Sequence, residues 1–135
     1  MKKLKKVIIP VAGLGTRLLP MTKAITKEML PIAGKPVIQY IVNEAIDAGF
    51  SEIIFVSRSD KTLLTNYFKT DHKLEASLEK KSEKSLLIEL KKISRHRSKM
   101  FWVEQKEAKG LGHAILCAKH LISNEPFAVM LPDML

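Results

Sequence analysis

Two glycines, a threonine and an arginine follow an apolar run near the start of the chain, in the stretch VIIPVAGLGTR. Gly13 and Gly15 permit backbone conformations that are closed to other residues, so the N–H groups of this loop can surround an anion. Thr16 adds a hydroxyl group, and Arg17 adds a permanent positive charge with a planar set of donors that suits phosphate. The pattern predicts a loop that binds a polyphosphate, and the alternative is an ordinary turn beside surface cations.

This loop differs from the two common phosphate-binding motifs. A dinucleotide-binding turn would have a third glycine at position 18, where the sequence has Leu18, and a Walker loop would end in Gly-Lys-Ser/Thr, which does not occur in this stretch. Lys23 and Lys27 follow within reach of the loop and add positive charge. A polyphosphate is therefore expected, bound by a different kind of loop.

Two further candidates come directly after apolar runs. Asp133 follows residues 127–131, and its carboxylate suits Mg²⁺, which takes one or two carboxylates and completes its coordination with water and phosphate oxygens. Gln105 follows residues 100–104 and offers both a donor and an acceptor, as the edge of a base requires, while Gly110 would let the backbone approach a flat ring. A helix cap at Asp133 and a plain helix-start loop at Gln105 are the alternatives.

The histidines and the cysteine give little support for metal or covalent chemistry. The four histidines are interpreted as structural or surface residues and not as metal ligands, with His113 expected closest to the site. No serine or cysteine lies in a nucleophile-elbow pattern. The single cysteine, Cys117, lies in an apolar helical pattern, which predicts a buried, reduced thiol and a cytoplasmic protein.

Strand and helix patterns alternate through the chain without a linker or repeat, which predicts one domain over residues 1–135. Predicted strands cover about residues 4–11, 53–57, 100–104 and 127–131; predicted helical segments cover about 36–48, 60–68, 72–95 and 111–121. Because strands separated by helices need crossover connections, the fold class is α/β with a mainly parallel sheet. Ligands of such sheets bind beyond the carboxyl ends of the strands, where the glycine loop, Gln105 and Asp133 would meet.

The net charge of +9 would suit a phosphate-rich partner, whether nucleic acid, acidic membrane or nucleotide. Residues 69–99 hold ten Lys/Arg and five Asp/Glu, and apolar residues recur among them at helical spacing, which predicts solvated helix faces. Aromatic residues flank this stretch instead of interleaving with it, which argues against nucleic acid. No run of about eighteen apolar residues occurs, so neither a membrane span nor a cleaved signal is expected.

The stretch GLGTRLLPMTKAITKEMLP resembles the signature of the sugar-phosphate nucleotidyltransferases, which join a nucleoside triphosphate to a sugar 1-phosphate. The chain resembles in particular the branch of bacterial UTP:glucose-1-phosphate uridylyltransferases. The further segments that carry this resemblance are KPVIQYIVNEAIDAGFSEI, the helical stretch 74–93, EAKGLGHAILCA and LPDML. The resemblance implies a Rossmann-like, three-layer domain that forms UDP-glucose and pyrophosphate from UTP and glucose 1-phosphate with Mg²⁺. One departure is Thr26, where the family pattern has proline.

The resemblance also implies roles for individual residues. Gln105 and Gly110 match positions that read the base. Arg17 and Lys27 match positions on the phosphates, as the catalytic residues, and Asp133 matches one of two aspartates that hold the metal. The residues that match the loop wrapping the nucleotide are Ala12, Gly13, Gly15 and Thr16.

Members of this family are longer, and their later part supplies the second metal aspartate and the groups that hold the sugar phosphate. The sequence therefore predicts a domain truncated after about its fourth strand. Either a companion chain or a homo-oligomer completes this domain, or the chain is a remnant of a longer gene. A non-catalytic nucleotide-binding half or association module is the first alternative to an enzyme. A basic nucleic-acid-binding domain is the second, and it predicts steeply salt-dependent binding.

Overall fold

Residues 4–11, 19–57, 62–107 and 109–132 are described by a computed structural model. In chain order the helices and strands are β1 (Lys6–Pro10), α1 (Met21–Ala24), β2 (Pro31–Ile32), β3 (Lys35–Pro36), α2 (Val37–Asp47), β4 (Glu52–Ser57), α3 (Thr62–Phe68), α4 (His72–Lys80), α5 (Lys84–Ser94), β5 (Met100–Glu104), α6 (Leu111–Cys117), α7 (Lys119–Ile122) and β6 (Phe127–Val129). Short 3-10 turns lie at Lys27–Met29 and Arg97–Lys99. The chain divides into two compact units, Met1–Lys61 with Lys99–Leu135, and Thr62–Ser98.

A four-stranded parallel sheet is the centre of the first unit. Its strand order is β5-β4-β1-β6, and β1 pairs in parallel with both β4 and β6. The order reverses beside β1, because the chain places β4 and β5 on one side of it and then returns to place β6 on the other. This arrangement confirms the predicted α/β class, the mainly parallel sheet and the Rossmann-like topology.

Both faces of the sheet are apolar, as expected for a parallel sheet that is covered on both sides. Ile53 and Phe55 point to one face, Ile54 and Val56 point to the other, and all four are at most 1% exposed. Helix α6 contacts β1 and β4. Its Ala114 belongs to a buried cluster with Ile54 and Val56, so α6 is held directly against the strands that lead to the candidate site.

Helix α2 begins and ends where the sequence predicts. Pro36 precedes its first residue with φ of −67°, and the chain leaves the helix at Gly49, whose φ of 93° favours glycine. The N–H of Gly49 donates to Ile46 O at 3.0 Å. The buried face of α2 consists of Ile38, Gln39, Ile41, Val42 and Ala45.

The charged segment predicted over residues 72–95 consists of two helices instead of one. Helix α4 ends before Ser82, which has φ of 57°, and Glu83 donates its N–H to Leu78 O at 3.0 Å to close the turn. Asp71 caps α4, since its Oδ1 accepts the N–H of Leu74 at 3.0 Å. No residue of α4 or α5 is buried, which confirms that these are solvated helices.

Two other features depart from the predicted pattern. The hairpin of β2 and β3 was not predicted, and its two-residue turn uses positive φ at Ala33 and Gly34. The predicted helix over 111–121 is interrupted at Ala118, which separates α6 from α7. Asp60, the first residue of the predicted helical segment over about 60–68, lies outside the described residues. Within the described ranges, no helix is long and apolar enough to cross a bilayer.

Candidate functional site

The carboxyl edge of the sheet is the natural place for a ligand, because the strand order reverses there between β1 and β6. Pairing extends to this edge on both sides of β1. Val11 donates its N–H to Val56 O at 2.7 Å, and Met130 donates its N–H to Ile8 O at 3.0 Å. The chain continues from β1 into the glycine loop and from β6 toward Asp133, so both predicted elements start from the strands that flank the reversal.

Six of the predicted site residues lie outside the described residues. They are Ala12, Gly13, Gly15, Thr16, Arg17 and Asp133. Their roles in binding nucleotide, phosphate and metal stay predictions. In the part of the chain that the structure describes, no group of three or more His, Cys, Asp or Glu side chains is arranged to hold a metal ion.

Gln105 and Gly110, both predicted to read a base, lie together at the end of β5. Gln105 is 3% exposed, and its backbone N–H donates to Ser57 O at 2.8 Å. Its side-chain Nε2 donates to Gly110 O at 3.2 Å and lies 3.0 Å from His113 Nδ1. The loop between β5 and α6 is therefore closed by a side-chain amide, which holds Gly110 at the carboxyl edge of the sheet.

Gly110 has a backbone conformation that explains the choice of glycine. Its φ is 88° and its ψ is −179°, and it immediately precedes α6. A Cβ atom added there would meet nothing within 4 Å, so the constraint is the backbone conformation and not lack of space. Its carbonyl also accepts the N–H of Ala114 at 3.1 Å, which ties the loop to the first turn of α6.

Lys27, predicted to contact the phosphates, begins the 3-10 turn after α1 and is half-buried. Glu28 beside it is 1% exposed, a burial that the sequence did not indicate. Thr26 precedes the turn with φ of −62°, which is the value that proline would impose. The departure from proline at position 26 thus leaves this φ unchanged in the described backbone.

Ser57 was missed by the sequence analysis. It ends β4, is 1% exposed, and its Oγ has no hydrogen-bond partner among the described residues. Its carbonyl is the acceptor for Gln105, so Ser57 lies at the same edge of the sheet. The only available signal in the sequence was a hydroxyl residue closing an apolar strand, which is common and carries little information.

His113 and Cys117 lie on α6, one turn apart. Cys117 is a free thiol and is half-buried, so the expectation of full burial was wrong. Its side chain packs against the buried cluster that includes Ala114, and it is covered only in part there. His113 contacts Gln105, and its place as the histidine nearest the site stays a prediction.

These features define an α/β fold of Rossmann-like topology, and comparison with known proteins gives the family. The family model of nucleotidyl transferases matches residues 6–135, so the chain belongs to the nucleotidyl transferase family. It is 56% identical over 130 residues to the UTP–glucose-1-phosphate uridylyltransferase of Haemophilus ducreyi, covering 96% of this chain and 44% of that protein. It is 53% identical over 133 residues to the enzyme of that name from Escherichia coli strain K12, covering 98% of this chain and 44% of that protein.

Among solved structures, the fold is similar to that of a UTP-bound UGPase from Acinetobacter baumannii. The TM-score is 0.90 at 45% identity, and the match covers 97% of this chain and 46% of that one. The resemblance seen in the sequence to the uridylyltransferase branch is thereby confirmed. The chain spans less than half the length of the relatives that it matches.

Proposed function

We propose that this protein transfers a uridylyl group from UTP to glucose 1-phosphate, forming UDP-glucose and pyrophosphate. The observation that carries the proposal is the buried Gln105 bonded to Gly110 at the carboxyl edge of the sheet, in a chain 56% identical to a uridylyltransferase. The similar Acinetobacter baumannii structure is described as UTP-bound, which supports UTP as the nucleotide.

In this proposal, the reaction is a direct displacement at phosphorus. A phosphate oxygen of glucose 1-phosphate attacks the α-phosphorus of UTP, and pyrophosphate leaves with the electron pair of the broken P–O bond. The attacking phosphate is already ionised, so no general base is needed. Arg17 and Lys27 counter the charge that builds on the α-phosphate and the leaving group, and the glycine loop holds the triphosphate in position for attack.

Asp133 would hold Mg²⁺. The chemistry of the donor set fits, because Mg²⁺ takes one or two carboxylates from a protein when nucleotide phosphates supply other ligands, and Asp133 follows β6 in the sequence. When bound, the ion supplies positive charge that stabilises the phosphates in the transition state. Asp133 itself contributes the anionic anchor that fixes where this charge lies.

The domain and partners are proposed on the same basis. The family model covers both compact units, which supports one nucleotidyltransferase domain over residues 1–135. A homo-oligomer or a companion chain is the proposed partner for holding the sugar phosphate. A cytoplasmic location is proposed, in keeping with the free thiol of Cys117.

The test is thermal unfolding and calorimetric binding of the chain with Mg²⁺ and UTP, with ATP as the control nucleotide. UTP at a hundred times its Kd should add about 2.7 kcal/mol to the free energy of unfolding. Arg17→Ala should remove most of this gain, and Arg97→Ala, on an exposed 3-10 turn of the second unit, should leave it intact. Equal stabilisation by ATP, or an unaffected Arg17→Ala, would contradict the proposed site.

Turnover separates this proposal from a non-catalytic nucleotide-binding module. With UTP, glucose 1-phosphate and Mg²⁺ present, release of pyrophosphate supports the transferase. UTP binding without any release of pyrophosphate supports the module. Binding that is steeply salt-dependent and directed to DNA or RNA supports neither.

A further inference from the structure

His113 on α6 lies against the side-chain amide of Gln105. Gln105 Nε2 is 3.0 Å from His113 Nδ1 and 3.2 Å from Gly110 O. Gln105 is almost fully buried and the His113 ring is half-buried. The proposed uridylyl transfer assigns no task to His113, although it touches a residue proposed to read the base.

The two contacts determine the orientation of the Gln105 amide. A backbone carbonyl only accepts hydrogen bonds, so the amide atom beside Gly110 O must be the nitrogen. The NH₂ group then donates one hydrogen to Gly110 and the other to His113. His113 Nδ1 must accept that bond, which places the proton of the neutral ring on Nε2.

Cys117 does not change this assignment. Its Sγ lies 3.9 Å from His113 Nδ1, whereas Gln105 Nε2 lies 3.0 Å away. The unprotonated ring nitrogen has one lone pair in the ring plane, and a thiol is a weak donor. The shorter contact with the amide therefore takes the lone pair.

The orientation decides what Gln105 can offer to a ligand. Both hydrogens of its NH₂ group are used, so the acceptor Oε1 is the group of the amide that is left to offer to a ligand. A ligand at this edge of the sheet therefore meets an acceptor. Uracil has an N–H group at N3, whereas cytosine has a lone pair there, so a fixed acceptor attracts the first and repels the second.

We propose that His113 is a positioning residue that fixes the Gln105 amide with its oxygen toward the base and thereby selects uracil over cytosine. This inference rests on the proposed function, since it requires the base to reach Gln105. Without an acceptor on residue 113, the amide can turn over and offer its nitrogen to N3 of cytosine. Selectivity is then lost even though Gln105 is still present.

The experiment compares the Kd of UTP with that of CTP, with Mg²⁺ present, in three variants. His113→Phe keeps a ring without an acceptor, and His113→Asn keeps an acceptor near the position of Nδ1. His120→Phe is the matched control, because His120 is an exposed histidine on α7. The ratio of the two Kd values should fall about tenfold or more in His113→Phe, and it should stay near that of the parent chain in the other two.

The ring proton gives a second measurement that needs no nucleotide and no variant. Long-range ¹H–¹⁵N correlation spectra of the parent chain should show His113 protonated on Nε2 and unprotonated on Nδ1. A proton on Nδ1 would overturn this inference alone, as would an unchanged UTP/CTP ratio in a folded His113→Phe. A parent chain that binds no UTP would overturn the proposed function and with it the selection of uracil.

Discussion

The ammonium group of Lys6 donates a hydrogen bond of 2.6 Å to the carbonyl oxygen of Leu121. It joins the first residue of β1 to the end of α7, and the Lys6 side chain is only 11% exposed. Glu52 and Glu125 lie 3.6 and 3.5 Å from the same nitrogen, so the buried charge has two anionic neighbours. One cation thus joins the amino-terminal end of β1 to α7.

Replacing this cation should weaken the fold without touching the carboxyl edge. Lys6→Met keeps the length of the side chain and removes the charge-assisted bond, so the free energy of unfolding should fall by about 1–3 kcal/mol. Lys5→Met is the control, because Lys5 is exposed and should change stability by no more than about 0.5 kcal/mol. Urea unfolding measures both. Equal midpoints for the two variants would show that the contact with Leu121 contributes nothing.

Gly110→Ala tests the backbone conformation of the loop that Gln105 closes. At φ of 88° an alanine is strained, so a loss of about 1–2 kcal/mol is expected. Gly112→Ala is a matched control inside α6, where alanine should be neutral or stabilising by up to about 1 kcal/mol. Neither added Cβ would meet another atom within 4 Å. A stabilised Gly110→Ala would contradict the described loop.

Asp133→Asn tests the proposed metal anchor. The amide keeps the shape of the carboxylate and loses its charge, so the gain in UTP affinity caused by Mg²⁺ should be largely lost, while UTP binding without Mg²⁺ should not fall. Titrating UTP with and without Mg²⁺ measures this gain. Asp47→Asn, on the last residue of α2, is the control and should keep the full gain. If Mg²⁺ raises the UTP affinity of Asp133→Asn as much as that of the parent chain, Asp133 does not hold the metal.

Tyr67 on α3 should make the protein sensitive to alkali. Burial, and secondarily the negative charge of Glu89, raises the pKa of Tyr67 above 10.0. The folded state therefore holds the phenolic proton more tightly than the unfolded state, and the stability from this group is complete below pH about 10 and lost as pH rises through the folded pKa. Tyr67→Phe removes the ionisable phenol, so its free energy of unfolding should fall less than that of the parent chain between about pH 9 and pH 11. Urea unfolding at each pH measures this, and equal falls in the two chains would contradict the prediction.

Strands and helices with a clear apolar periodicity could be predicted from the sequence. The turns that interrupt helices and the very short strands could not. Residues 100–104 were predicted as a strand, and β5 has those bounds. The turn at Ser82 has no glycine or proline to mark it, and strands of two residues such as β2 are too short to show alternation. Tertiary context decides such features, because local preferences there favour no one conformation.

Part of the candidate site could be predicted from the sequence for the same physical reason. Gln105 and Gly110 could be selected because each follows or precedes a predictable element, and the structure brings them within 3.2 Å. The contact of Gln105 with His113 depends on where α6 begins and on the path of the loop before it, and neither follows a sequence period. No pattern in the sequence indicated the buried Ser57 hydroxyl.

The pairing of β1 has a consequence for how the chain folds during translation. Residues of β1 can pair with β4 as soon as Ser57 has left the ribosome, but the other edge of β1 pairs with Phe127–Val129, which is made much later. Throughout synthesis of the intervening residues, that edge presents unpaired N–H and C=O groups. The nascent chain is therefore most open to wrong strand pairing in this interval, when chaperone binding at β1 would protect it most.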